Sequence, residues 1–255
     1  LEIIFIGTGS GKTSIKRNHS SIFIKSQKEN LLIDAGDGIS KALLQNKIDF
    51  LEIKNIVITH FHADHFAGLA SLITQMKLMK RKTPLKIFVH ENLVYSLKNF
   101  LSLAYLFPQA MNFTLKLIGF DSNKKIKVKE NFFFTAKQNT HIANNYNVNF
   151  PEENFISLSL LLRINNKNIF YTSDIGSPDD LYLFKNIKID LMISEITHVT
   201  FDEIYSAFKL LNPRMLFLTH IEDEKGQSIL GKIKSLKKNE KNRVILCYDG
   251  LKLVR

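Results

Sequence analysis

The chain has little cysteine: a single residue, Cys247, in 255. That excludes an internal disulfide and a zinc-thiolate cage, so any metal held here is held by histidine and carboxylate. Long hydrophobic runs are also missing. The first apolar segment, Leu1–Ile6, is broken at Gly7, and no stretch approaches the roughly 18–20 apolar residues that span a bilayer. There is no signal-peptide pattern, no Pro/Gly-rich linker, no low-complexity tract and no internal repeat. The expectation is a soluble, cytoplasmic protein with no membrane partner, built as one domain over 1–255. Its first residue is Leu, not Met, so a short N-terminal piece is expected to be missing. Acidic residues are scarce relative to basic ones, 24 against 35, giving a net charge of +11. Such a balance favours an anionic partner over a cationic one. Lysine far outnumbers arginine and Asn and Ile are abundant, so a biased proteome accounts for the charge equally well. The clusters Lys80-Arg81-Lys82, Lys124-Lys125 and Lys237-Lys238 read as solvated helix ends or turns.

What is present is an alternation of β-rich and βα blocks. Strands are predicted at Leu1–Ile6, Ser21–Lys25 and Leu31–Asp34, a short helix at Gly38–Gln45, and a compact apolar strand at Ile53–Ile58. Leu69, Leu72, Ile73, Met76 and Met79 then recur at helical spacing, so Ala67–Lys80 is predicted as an amphipathic helix with its methionines in the core. A strand–helix pair follows at Lys86–His90 and Leu93–Leu106. A mainly β section covers Phe113–Ile118, Phe132–Lys137, Phe155–Ile164 and Ile169–Thr172. The last third alternates again: strands Leu191–Ser194, Met215–Leu218 and Val244–Cys247, with helices Phe201–Leu211 and Gln227–Leu236. Two β-rich blocks, each followed by βα units, fit an α/β class (α+β by some schemes), with two sheets face to face and helices outside.

The chemistry concentrates between the strand Ile53–Ile58 and the helix that follows it. His60, His62, Asp64 and His65 supply four ligand-type side chains in six residues. A strand end lets side chains converge on a cleft while the sheet fixes their backbones. His60 and His62, two apart in extended chain, point to one side, and Asp64 and His65 address a neighbouring point after a turn. The spacing suits two metal ions, for which imidazole and carboxylate are ligands acceptable to zinc, manganese or iron. One cluster cannot saturate two metals, so further ligands are expected at later strand ends: His141, Asp174 and His220.

These residues, with Phe5-Ile6-Gly7-Thr8-Gly9-Ser10-Gly11, Leu31-Leu32-Ile33-Asp34-Ala35-Gly36, Thr59–Gly68, Thr140-His141, Thr172-Ser173-Asp174 and Leu218-Thr219-His220, resemble the metallo-β-lactamase superfamily, more narrowly its ribonuclease Z and phosphodiesterase branch. The resemblance implies the αββα metallo-β-lactamase sandwich. It implies that His60, His62 and His141 hold one metal, that Asp64, His65 and His220 hold the other, and that Asp174 bridges both. Aspartate at the bridging motif matches binuclear phosphodiesterases and thioesterases. Antibiotic-hydrolysing relatives carry cysteine there, which argues against that activity. Two metals sharing a water lower its pKa towards neutrality and offset charge in the transition state. Asp64, ligand and neighbour of that water, is the expected proton acceptor. Asp34 reads as a turn-forming structural aspartate, not a ligand. A homodimer is implied as well.

Glu195-Ile196-Thr197-His198 follows the strand Leu191–Ser194 and precedes a helix whose Thr200 and Glu203 form a capping-box pattern. His198 thus stands just outside a helix N-terminus, where anions are attracted. Glu195 and His198 resemble the ribonuclease Z residues that protonate the leaving oxygen, at compressed spacing. His198 is therefore the candidate proton donor or phosphate contact, with a second-layer histidine as the plainer account. Ribonuclease Z carries a long tRNA-clamping arm between the ligands matching His141 and Asp174. Here Ile142 to Ser173 leaves no room for it, so a smaller phosphodiester is expected. The leading reading is a binuclear phosphodiesterase acting on an anionic small-molecule or single-stranded nucleic-acid-like substrate. The alternatives are a thioesterase or lactonase on the same metals, and ribonuclease Z-like RNA processing or a nucleic-acid-binding protein. Gly7–Thr13 mimics a P-loop but is one residue short and leads into a strand. It is expected instead to let the backbone pass close beneath the cleft. His90 reads as a core or helix-capping histidine, and His19 as structural.

Overall fold

The computed structural model describes residues 1–26, 29–142 and 154–254. The described chain forms two compact units interleaved in sequence. The first comprises Leu1–Gly7, Asn18–Asp121 and Asp249–Arg255; the second comprises Thr8–Arg17 and Ser122–Tyr248.

In the first unit, β-branched and aromatic runs give β1 (Glu2–Gly7), β2 (Ser21–Ser26), β3 (Glu29–Ile33), β4 (Asn55–Val57), β5 (Leu85–His90) and β6 (Leu115–Phe120), and the chain's last strand, β14 (Lys252–Val254), returns to pair with β1. The sheet order is β14-β1-β2-β3-β4-β5-β6. The first three pairings are antiparallel and the remaining three parallel. Helices α1 (Ile39–Gln45), α2 (Ala63–Phe66), α3 (Leu69–Leu78) and α4 (Val94–Leu103) belong to this unit. The second unit holds β7 (Lys125–Lys129), β8 (Phe132–Gln138), β9 (Leu158–Ile164), β10 (Lys167–Tyr171), β11 (Leu191–Glu195), β12 (Met215–Thr219) and β13 (Val244–Leu246). Its sheet, β13-β12-β11-β10-β9-β8-β7, repeats the plan: antiparallel from β7 to β10, parallel from β10 to β13. Helices α5 (Phe201–Leu211), α6 (Gly226–Ser235) and α7 (Lys238–Lys241) complete it. Parallel strands are apolar along their whole length because both faces are covered; all five residues of β11 are buried. The candidate ligands lie past the carboxyl ends of the parallel-paired β4, β10 and β12 and, for His141, of the antiparallel β8.

The predicted elements are recovered with small boundary shifts, and α5 matches residue for residue. Its capping box is complete: Thr200 Oγ1 accepts from Glu203 N, and Glu203 Oε2 accepts from Thr200 N at 2.7 Å. Ile204, Ala207 and Phe208 are fully buried in the core of the second unit, with Tyr205 and Leu211 partly covered against it. Two strands were not predicted. In β7 the alternation Lys-Ile-Lys-Val-Lys is a strand pattern that reads as a charge cluster, and β14 is three residues long.

Two expectations are corrected. Met76 is core, but Met79, at the C-cap of α3, is 45% exposed. Arg81 is not solvated: it is 1% exposed. Its guanidinium donates to the carbonyls of Ile53 (2.7 Å), Thr83 (2.8 Å), Pro84 (3.0 Å) and Phe50 (3.3 Å) and lies over the Phe113 ring. Burial pushes its pKa down to about 10, opposed by Asp49, so it keeps its charge at neutral pH. It acts as an internal cap for two segments, 50–53 and 83–84. Of the segment expected to lack the tRNA arm, residues 143–153 lie outside the described residues; the described remainder holds β9 and β10. No helix among the described residues is long and apolar enough to cross a membrane.

Candidate metal centre

In the first unit the chain leaves β4 at Val57 and is caught two residues on. Thr59 donates its backbone N–H (2.8 Å) and its hydroxyl (2.9 Å and 3.0 Å) to the Asp34 carboxylate, which lies just past the neighbouring β3. This holds His60, fully buried, with its Nδ1 3.0 Å from Thr59 Oγ1. His62 remains extended and serves as N-cap residue of α2. The turn expected here is this one-turn helix, and it places Asp64 and His65 side by side, with His65 Nε2 3.4 Å from Asp64 Oδ2. The His60 ring centroid lies 4.8 Å from that of His62 and 4.0 Å from that of His65. All four predicted ligands of this segment therefore face one point.

Asp34 is more than a turn former. Its Oδ2 lies 2.8 Å from His65 Nδ1, which leaves the Nε2 of that ring directed at Asp64. Burial pushes the Asp34 carboxyl up, opposed by His65 and by Thr59. The residues after Asp34 are bound to the ligand turn by backbone: Ala35 N donates to His65 O (2.7 Å) and Asp37 N to Ala63 O (3.2 Å). A Cβ at Gly36 would sit 1.8 Å from Asp64 O, and one at Gly68 would sit 2.0 Å from Gly36 O. The two glycines exist because backbone passes against backbone here.

In the second unit, three strand ends converge. His141 follows β8, Asp174 follows β10 and His220 follows β12. Asp174 Oδ2 stands 3.2 Å from His220 Nε2 and 3.7 Å from His141 Nε2, with all three side chains nearly buried. Asn139 ties two of these loops: its amide donates to Asp174 O (2.9 Å) and its carbonyl accepts from His141 N (3.2 Å). Asp180 does the same from outside, accepting from Thr140 N and Oγ1 and from Gly176 N. Ser173 and His220 adopt left-handed backbone, φ 54° and 55°, a strained conformation that concentrates at functional sites. Neither Asn139 nor Asp180 stands out in the sequence, because each works through a loop 20 or more residues away.

Glu195, fully buried at the end of β11, accepts from Thr197 N (2.6 Å) and His198 N (3.0 Å) through Oε2, and its Oε1 lies 3.2 Å from His198 Nδ1. His198 is thereby held through Nδ1, its ring 4.6 Å from His141 and stacked 5.5 Å from His220. Glu195, His198 and His220 are themselves close enough to share a cation. The His198 side chain is 35% exposed, so it is both part of the cluster and open to solvent.

The other histidine and glycine features fall away from this chemistry. His90 is the N-cap of the short turn Glu91–Leu93, its Nδ1 accepting from Asn92 N. No helix follows Gly11. Instead Gly9 bridges to Ile221, whose N–H donates to Thr8 O (2.8 Å), so the glycine segment braces the residue after His220. Cys247 is buried and its thiol pushed well up by desolvation.

Buried imidazoles and carboxylates at strand ends, with the Nδ1 atoms of His60 and His65 set against oxygen partners, suit a divalent metal. The comparisons agree. A family model described as "Anti-Pycsar protein Apyc1" matches residues 1–242. Ribonuclease Z of Pyrococcus abyssi is 43% identical over 108 residues, 42% of this chain and 35% of that protein. Ribonuclease Z of Pyrococcus furiosus is 28% identical over a 267-residue alignment covering 86% of each. The chain thus spans about a third of the length of the first relative and most of the second. The metallo-β-lactamase fold protein YhfI from Bacillus subtilis superposes with a TM-score of 0.77 at 18% identity, over 99% of this chain and 98% of that one. The chain therefore has the metallo-β-lactamase fold of the ribonuclease Z-like branch and belongs to the family of the anti-Pycsar protein Apyc1.

Proposed function

We propose that this chain is a binuclear metal-dependent phosphodiesterase acting on a small or single-stranded nucleic-acid-like phosphodiester. The observation that carries the reading is the position of Asp174, one carboxylate oxygen within 3.7 Å of the Nε2 atoms of both His141 and His220. A carboxylate shared by two imidazoles would suit a ligand common to two ions. In this reading His60, His62 and His141 hold one ion, Asp64, His65 and His220 the other, and Asp174 both. Zinc is the proposed metal, with manganese or iron compatible with the same donors. When bound, the ions would acidify a water and offset charge on a phosphoryl oxygen.

The chain's own residues do the rest. Asp34 orients His65 through Nδ1, and Thr59 fixes Asp34. Asp64 accepts the proton of the attacking water. Glu195 holds His198 through Nδ1, which leaves Nε2 to donate a proton to the leaving oxygen or to bind the phosphoryl group. The N-terminus of α5, three residues on, adds the positive end of its dipole.

Metal-loaded protein should cleave bis(p-nitrophenyl) phosphate. His198→Ala should slow turnover by about 10²–10⁴-fold, the usual worth of a general acid, without metal loss. Absence of cleavage under zinc, manganese and iron, together with turnover of an acyl lactone or a glutathione thioester, would reject the reading in favour of the thioesterase or lactonase alternative. The named relatives favour one second reading, ribonuclease Z-like RNA processing, which cleavage of a tRNA 3′ trailer would support.

A further inference from the structure

Strands β7 to β10 carry six basic residues and no acidic one: Lys125, Lys127, Lys129, Lys137, Arg163 and Lys167. Register collects several of them on one face of the sheet. Lys127 lies opposite Phe133, Phe133 opposite Arg163 and Arg163 opposite Asn168, with Lys125 opposite Thr135 in the next row. The alternate residues Phe132, Phe134, Leu160 and Leu162 are buried on the other face. Lys125, Lys127 and Arg163 are exposed, Phe133 is partly exposed, and Lys125 Nζ stands 3.9 Å from the Phe133 ring centroid. Between this row and Ile187 runs a groove of about 180 Å³, with Phe133 and Leu161 on its floor and Lys125, Arg163 and Asn168 around it.

Four lysines elsewhere are paired with acids, Lys12–Glu224, Lys25–Glu52, Lys225–Glu222 and Lys232–Asp202, all at 2.7–2.9 Å. Among the described residues no ion pair engages Lys125, Lys127 or Arg163. Lysines on an edge strand also guard against strand addition, and β7 is an edge. That duty does not reach Arg163, which is two strands in and projects from the face.

We propose that this face binds a single-stranded polynucleotide, with a base against Phe133 and phosphates on Lys125, Lys127 and Arg163. Charge sets the sign of the partner, and the ring between cations sets its kind. Every base offers a π-face to an aromatic platform while the backbone follows the positive charge. An anionic membrane would call for several protruding apolar residues, whereas the groove's large apolar side chains offer one exposed residue, Ile187 at 40%, beside the partly exposed Phe133. Strands β7 and β9 are two spacings apart, roughly 10 Å, so their cations flank the groove. The inference does not rest on the metal reading and can fail or hold separately from it.

The test is fluorescence anisotropy of labelled 12-residue oligo-U and oligo-dT across a salt series, with probe integrity checked on gels. The combined variant Lys125→Glu/Lys127→Glu/Arg163→Glu should bind at least about tenfold more weakly, and its log K against log salt slope should be shallower by about 2, three contacts at roughly 0.7 each. Lys237→Glu/Lys238→Glu/Lys241→Glu, with the same change of charge at α7, should keep both within about twofold. Phe133→Leu should weaken binding severalfold and leave the slope unchanged, with melting temperature confirming the fold. Equal losses in the two triple variants, no loss in either, or a dependence on the β7–β9 cations seen only with phosphatidylserine vesicles would overturn the proposal.

Discussion

Asp34 Oδ2 and His65 Nδ1 lie 2.8 Å apart, 31 residues apart in sequence, and both side chains are fully buried. The same carboxylate takes two donors from Thr59. It therefore sets the ring orientation of one proposed ligand and the exit of the chain from β4. Asp34→Asn keeps the shape but lets the amide present N–H to the ring. Metal affinity, followed by chelator competition, should fall about 10–100-fold, as for other outer partners of ligating histidines. Unchanged affinity would reduce Asp34 to a turn residue.

Gly36→Ala tests the same turn sterically. The new Cβ meets the Asp64 carbonyl at 1.8 Å, an obstacle that no side-chain rotation relieves. The variant should lose metal and lower the melting temperature. Gly226→Ala, whose Cβ meets nothing within 4 Å, should be neutral by both measures.

Arg81→Met removes the buried donor to the Phe50, Ile53, Thr83 and Pro84 carbonyls. Leaving several buried acceptors unmatched should cost about 3–5 kcal/mol in urea unfolding. Arg81→Lys should recover a minority of that, since three donors on a flexible stem cannot span the same fork. A loss under about 1 kcal/mol would show that the loops re-pair among themselves.

How much of this was legible beforehand follows the range of the forces. Helix α5 was readable in full because its cap, its acidic first turn and its apolar stripe all lie within eleven residues and the one before them. The ligands could be placed at strand ends because period and motif are local. Arg81 was misread because the carbonyls that bury it come from 50–53 and 83–84, while its sequence neighbours are lysines. The orienting role of Asp34 was missed for the same reason, its partners being 25 and 31 residues away. Strand β7 was missed because its alternate lysines hid the buried Val128 and half-buried Ile126 between them.

His90 should make stability depend on pH. Burial lowers its pKa from 6.5, against the opposing charge of Asp121. The unfolded chain then binds a proton before the folded one does. Stability is full above about pH 6.5 and declines as pH falls below it, because stability rises wherever the unfolded state holds more protons. His90→Asn retains a capping acceptor for Asn92 N–H and removes this titration. Urea midpoints between about pH 5 and 7.5 should fall less steeply for the variant than for the parent. Parallel curves would assign the acid sensitivity elsewhere.

The most direct test of the central claim is elemental analysis of the purified protein, set beside that of Asp174→Ala. Two divalent ions per chain are predicted for the parent and fewer than one for the variant, with circular dichroism unchanged. A parent without bound metal after incubation with zinc, manganese or iron would contradict the account, and so would a variant that still holds two ions.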